Sequence, residues 1–167
     1  RDLHSFPTRR SSDLEALKRM GFAVMSGAIA SSGLLSLASC ETKRSKRIIF
    51  YFTGTGNSLY IARQLAGENA ELLSIPQMVK RGKYEFEADE IGIVYPIYGH
   101  MPPYMVRQFI QKAKLKAEYK FAVLTYGARK CDAVEIWDRI SRKADNAFDY
   151  INTIIMVDNW LPNFDMN

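Results

Sequence analysis

Six small residues in a row, Thr53-Gly54-Thr55-Gly56-Asn57-Ser58, are of the types that bind an anion. Glycines let the main chain bend and approach a ligand closely, where a Cβ would collide. Backbone N–H groups that converge at a helix start bind negative charge, and Thr and Ser hydroxyls add donors. The stretch holds no Lys or Arg. Neutral donors alone suit a phosphate monoester held tightly and kept, more than a nucleotide triphosphate turned over with magnesium. The nucleotide-hydrolase pattern G-x-x-x-x-G-K-[ST] fails, because no Lys follows Gly56. The dinucleotide pattern G-x-G-x-x-G fails because Leu59 stands where the third glycine belongs. The alternative is a Gly/Ser/Thr turn with no ligand.

The remaining reactive side chains are few. With two cysteines, Cys40 and Cys131, at most one is left in the domain that follows residue 47. One cysteine makes no disulfide, zinc site or iron–sulfur cluster. Arg129 and Lys130 stand beside Cys131 and would lower its pKa, although a buried or idle thiol is the plainer reading. His4 is assigned no role. His100, with no carboxylate partner evident in the sequence, reads as a surface residue, with proton donation as the alternative.

The elements that position the six-residue turn follow from hydrophobic pattern. Ile48 to Phe52 is an unbroken apolar run, the pattern of a strand buried on both faces. After the turn, Leu59, Ile61, Ala62, Leu65 and Ala66 recur at helical spacing. Leu72 to Ile75 reads as a second strand ended by Pro76, and Gln77 to Lys83 as a polar turn around Gly82. Tyr84 to Glu87 alternates like an edge segment. Ile91 to Tyr95 is the third buried strand. Pro102 to Leu115 reads as a helix with Met105, Val106, Phe109, Ile110 and Ala113 on one face, Met101 and Met105 serving the core. Phe121 to Thr125 is the fourth strand, Ala133 to Ala147 a helix and Tyr150 to Val157 the fifth strand. Strands alternating with helices give an α/β fold, a parallel sheet covered on both faces. In such sheets a ligand sits beyond the carboxyl ends of the strands, where strand order reverses. The loops there are 53–58, Pro96 to Pro103, Thr125 to Ala128 and Asp158 to Pro162. Three of the four carry an aromatic, as a flat ring ligand requires.

Charge separates the chain into parts. The net charge is +5. Residues 1–47 account for it with nine Lys/Arg and four Asp/Glu, and residues 48–167 hold fourteen of each sign. No basic patch with interleaved aromatics argues for nucleic acid. Residues 1–14 lack apolar periodicity and resemble a translated sequencing adapter; a disordered tail is the alternative. Residues 15–40 have a positive flank, an uncharged stretch from Met20 to Cys40, and the ending Leu37-Ala38-Ser39-Cys40. That ending resembles a bacterial lipobox, whose cysteine is lipidated after cleavage. Glu15 to Gly21 resembles the tail of a twin-arginine leader, but Asp13-Leu14 stand where the arginine pair is expected. The expected location is therefore the bacterial cell envelope, as a membrane-anchored lipoprotein, with 41–47 as a charged tether. A retained membrane span or a cytoplasmic protein are the alternatives.

The turn T-G-T-G-N-S after a first strand resembles the FMN phosphate loop of the flavodoxin family, and the likeness extends over 48–159. It is nearest to a ferredoxin family in which a flavodoxin-like domain precedes a two-cluster iron–sulfur module. The resemblance implies a doubly wound five-stranded sheet of order 2-1-3-4-5 and FMN as cofactor. It assigns the phosphate to Thr53, Gly54, Thr55, Gly56, Asn57 and Ser58. It assigns the isoalloxazine ring to Tyr98, Gly99, Thr125, Tyr126 and Gly127, and no metal. Tyr98 and Tyr126 have capping of the sheet's edge as an alternative role, and Trp160 fits packing better than stacking. The likeness also implies a last helix and a Cys-rich segment, neither found before Asn167, so 48–167 is expected to be a truncated domain.

The function expected is FMN-dependent electron transfer, with redox partner proteins of ferredoxin or reductase type and no nucleic acid. Tyr walls would disfavour a negatively charged reduced ring, and Gly99 would let a backbone carbonyl approach it. Two alternatives stay open: an FMN-dependent NAD(P)H or quinone oxidoreductase, and a non-redox anion-binding module on a membrane tether.

Overall fold

The computed structural model describes residues 46–157. The leader, Cys40, most of the tether and residues 158–167, Trp160 among them, lie outside the described residues.

Strand β1 (Arg47–Tyr51) buries Ile48, Ile49 and Phe50 completely or nearly so. Such a run needs cover on both sides, and each fully buried Ile or Phe contributes roughly 1.5–3 kcal/mol. It leads through the turn into α1 (Asn57–Ala66), which buries Ile61, Ala62 and Ala66. Then follow β2 (Ala70–Ser74), α2 (Ile75–Arg81), β3 (Glu85–Glu87), β4 (Glu90–Pro96), α3 (Tyr104–Lys112), β5 (Lys114–Lys116), β6 (Tyr119–Tyr126), α4 (Ala133–Lys143) and β7 (Tyr150–Ile155).

The main sheet has five parallel strands in the order β2-β1-β4-β6-β7. Counted along that sheet, this is the expected 2-1-3-4-5. The reversal lies at β1, which pairs β2 on one side and β4 on the other. The two faces are filled by alternate residues. Ile48, Phe50, Ile93, Tyr95, Ala122 and Leu124 pack in one core with Met78 of α2, Phe109 of α3 and Trp137 of α4. Ile49, Val94 and Val123 are equally buried but lie outside that core, alternate with its members, and belong to the face that α1 covers.

Three expectations are corrected. The stretch 77–83 is not a polar turn: α2 occupies Ile75–Arg81, with Pro76 in its first turn and Gly82 closing it at φ 65°. Pro is tolerated at a helix start, and Gly accepts the left-handed closing residue. The second strand therefore ends at Ser74 and not Ile75. The third helix stops at Lys112, and Lys114–Lys116 form β5, paired in parallel with β3 in a separate two-stranded sheet. There Phe86 and Leu115 face inward, while Glu85, Glu87, Lys114 and Lys116 are exposed. Three residues are too few for their period of two to stand out from the helical pattern before them.

Asn146 fastens that region to the rest. Its side chain is buried, accepts from Leu115 N–H at 3.1 Å, and donates to Ala113 O at 2.8 Å and Ala144 O at 2.9 Å.

Candidate functional site

The turn between β1 and α1 sits where strand order reverses. Its first contact extends the sheet, Phe52 N–H donating to Val94 O at 2.9 Å. Thr53 then folds the turn back, its Oγ1 accepting the Gly56 N–H at 2.9 Å. Gly56 takes φ 99°, a left-handed conformation that glycine accepts at little cost. α1 starts immediately after it, and the Tyr60 N–H closes the first helical bond on Gly56 O at 2.9 Å. The amides of Asn57, Ser58 and Leu59 precede that bond and have no partner inside the helix. Among the described residues no side chain caps this helix start, and no acid occupies its first turn. Gly54, Thr55 and Gly56 are exposed. The result is an open cluster of N–H groups at the positive end of a helix.

Besides Thr53, two of the six turn residues make side-chain contacts that hold the turn rather than face its open side. Ser58 is buried, and its hydroxyl shares a 2.8 Å hydrogen bond with Thr125 Oγ1 of β6, also buried. Thr125, expected beside a ring ligand, is thus placed beneath the turn as its anchor to the sheet. Asn57 Nδ2 donates to Val157 O at 2.8 Å, linking the turn to the chain leaving β7.

The loop after β4 begins where Ile97 N–H donates to Thr125 O at 2.8 Å. Tyr98 and Met101 exchange both backbone bonds, at 3.0 and 3.1 Å, around Gly99 (φ 53°) and His100 (φ 73°). Two positive φ values in sequence mark a type I′ turn. The Tyr98 ring is half exposed and edge-on to Phe52, with centroids 6.5 Å apart. Its hydroxyl overhangs the first turn: a Cβ built on Gly54 would lie 2.6 Å from it. Tyr98 therefore reaches the phosphate-binding candidate, and only glycine at 54 leaves it that position. Tyr126 and Gly127 are half-buried at the end of β6, where Tyr126 O accepts the Met156 N–H at 2.7 Å.

His100 does have a carboxylate partner. Its Nδ1 lies 3.2 Å from Asp132 Oδ1, with both side chains more than half exposed. Asp132 occupies the residue before α4 and makes no cap bond to that helix. The contact joins the loop after β4 to the loop after β6. Asp132 stands 32 residues away, and its only signal in the sequence is its place just before a helix, hence at the same edge of the sheet. Cys131 is exposed, contrary to a buried thiol, and its φ is 45°. Among the described residues no group of three or more His, Cys, Asp or Glu is placed to hold a metal ion.

The sequence matches no family model and no curated protein. Solved structures do resemble it. A candidate flavoprotein from Bacteroides eggerthii is 17% identical with TM-score 0.50, the match covering 67% of this chain and 88% of that one. A flavoprotein in complex with FMN from Lactobacillus acidophilus is 12% identical with TM-score 0.48, covering 65% and 93%. The two-electron reduced flavodoxin of Megasphaera elsdenii is 19% identical with TM-score 0.44, covering 65% and 84%. At these identities the likeness is one of fold. With its five parallel strands in the order β2-β1-β4-β6-β7, the chain has a flavodoxin-like α/β fold.

Proposed function

We propose that the domain binds FMN, with the phosphate on the Thr53–Ser58 turn, and acts as an electron-transfer protein of flavodoxin type. The observation that carries this reading is the uncapped start of α1 behind an exposed Gly-Thr-Gly turn at the strand-order reversal. The residues fit the group. Gly56 has nothing within 4 Å of a built Cβ, so that side of the turn is open, and no acid in the first helical turn repels a dianion. Tyr98, Gly99, Tyr126 and Gly127 lie on the loops after β4 and β6, at the same end of the sheet as the turn, and would border the ring, while Thr125 works through Ser58 to hold the turn in place. Bound FMN supplies one- and two-electron chemistry, and the protein sets its orientation and electrostatics.

In this reading the partners are redox proteins of ferredoxin or reductase type, Cys40 is a lipid anchor in the bacterial cell envelope, and the relatives are ferredoxins with an N-terminal flavodoxin-like domain. Among the described residues no helix is long and apolar enough to cross a membrane. A second reading, an FMN-dependent NAD(P)H or quinone oxidoreductase, is favoured by one observation. The His100–Asp132 pair places a titratable group on a ring-flanking loop. Hydride transfer from NAD(P)H to a quinone by the loaded protein would distinguish it from a carrier.

The test is direct. Protein purified and then titrated with FMN is expected to quench flavin fluorescence at a one-to-one endpoint. Protein that leaves the fluorescence unchanged is the non-redox anion module instead.

A further inference from the structure

Charge is spread unevenly over the domain. Residues 48–167 hold equal numbers of cations and acids, yet two short stretches, Lys80-Arg81-Gly82-Lys83 and Lys112-Ala113-Lys114-Leu115-Lys116, hold six cations and no acid. The fold brings them together at the amino end of the main sheet. α2 ends at Arg81, α3 ends at Lys112, and Lys114 N–H donates to Tyr84 O at 2.7 Å as β5 aligns with β3. Lys83, Lys112 and Lys114 line one open depression with Gly82, Tyr84 and Glu85.

The acids beside it neutralise it only in part. Glu85 bridges Lys114 at 2.7 Å, and Glu87 is its exposed companion on β3. Of the next acids, Glu90 is paired with Arg47, while Asp89 and Asp149 accept backbone N–H groups, of Lys46 at 2.6 Å and of Lys120 at 2.7 Å, and keep their charge. Glu118 is the other exposed acid nearby. Two of the lysines lie over rings, Lys83 Nζ 5.2 Å from the Phe86 centroid and Lys112 Nζ 5.7 Å from that of Tyr84. Stems resting on aromatic surface keep their ammonium groups at the water boundary.

The chain also enters the domain here. Lys46 O accepts the N–H groups of Asp89 and Glu90 at 2.9 and 3.2 Å, and the adjacent Ala88 N–H donates to Lys116 O at 3.1 Å.

We propose that this pole is a docking surface for an anionic bilayer, with Lys83, Lys112 and Lys114 receiving lipid phosphate groups. Each Lys or Arg near such a surface adds attraction, and the six cations of these two stretches share one end of the sheet. A single-stranded nucleic acid would need open rings to stack on, and here ammonium groups cover Tyr84 and Phe86. The lipid-facing pole is then opposite the Thr53–Ser58 turn, which leaves the turn free for soluble partners. The inference does not depend on FMN binding.

The experiment is cosedimentation of the full chain with vesicles of phosphatidylcholine alone or mixed with phosphatidylglycerol, at low and high salt. Wild type is expected to prefer the mixed vesicles at low salt. The K83Q/K112Q/K114Q variant is expected to lose on the order of a hundredfold in partitioning to them, with its binding to phosphatidylcholine unchanged. Glu87→Gln, which removes an acid and no lysine, is expected to raise partitioning several-fold. Equal partitioning of wild type and both variants to the mixed vesicles would overturn the proposal. So would displacement of bound protein by an oligonucleotide at concentrations where inorganic phosphate has no effect.

Discussion

At the carboxyl end of the main sheet, the turn at 53–58 contains no cation and presents backbone N–H groups at the start of α1. At the amino end, six cations crowd the ends of α2 and α3 and the strand β5, and among the described residues no helix start points at them. Both ends suit anions, by opposite means. Backbone donors fixed by a turn select shape, and their bonds to a bound phosphate are short-ranged. Mobile ammonium groups attract any negative surface, and added salt screens them. The difference teaches that net charge is a poor guide to where anion donors gather in this domain. The neutral end holds its donors in a fixed turn, and the charged end spreads its cations over side chains.

The largest expected effect concerns what holds the charged end in place. Asn146→Ala removes four side-chain hydrogen bonds in a buried setting, including those to Leu115 N and Ala113 O. Loss of roughly 2–5 kcal/mol is expected in urea unfolding. If the β3–β5 sheet loosens first, vesicle binding falls at urea concentrations where FMN binding persists.

Next in size is the anchor of the neutral end. Ser58→Ala or Thr125→Val breaks the 2.8 Å hydroxyl pair beneath the turn. Each is expected to weaken FMN about tenfold, in line with a hydrogen bond of about 1–1.5 kcal/mol. The double variant should be little worse than either single, as in a cycle of two contacting residues. Additive losses would mean that the two hydroxyls act separately.

Salt separates the two ends without any substitution. Raising it should abolish the preference for phosphatidylglycerol vesicles but change FMN affinity by less than about threefold, because the turn has no side-chain charge to screen. Parallel losses at both ends would erase the contrast.

The smallest effect is at the exposed Lys114–Glu85 bridge. The hydrogen bond from Lys114, and then its charge, hold the Glu85 carboxyl below its ordinary value of 4.5, and the same bond raises Lys114 above 10.5. A depressed acid stabilises the fold above its unfolded pKa and loses that contribution as pH falls through the folded value. A raised lysine contributes below its unfolded pKa and loses it as pH rises through the folded value. The bridge therefore acts across the middle of the pH range. Glu85→Gln should lower Tm slightly at neutral pH, and the difference should fade as the pH falls from 4.5 through the lowered folded value. Full exposure keeps the effect near the limit of detection.

Much of this was legible in the residues. The runs at 48–52, 91–95 and 121–124, free of polar side chains, announced buried parallel strands, and T-G-T-G-N-S after the first of them announced the turn. Alternation gave less: β3 and β5 are three residues each, and Glu-Phe-Glu against Lys-Leu-Lys becomes a pattern only when paired in space. Helix α2 was hidden because its seven residues bury only Ile75 and Met78 and begin beside a proline. Contacts across sequence were not legible at all. Ser58 with Thr125 and His100 with Asp132 are 67 and 32 residues apart, and each depends on the order of strands in the sheet, the first reaching across β4 from β1 to β6. The lysine pole needed the same step, because its two stretches are ordinary helix ends when read singly.

The central claim is that a phosphate monoester is held by the 53–58 turn through neutral donors. Riboflavin differs from FMN only in lacking that phosphate, so the decisive measurement is a fluorescence titration of the protein with each. FMN is expected to bind at least about a hundredfold more tightly, the worth of two charge-assisted hydrogen bonds. Equal affinity for the two flavins would contradict the account.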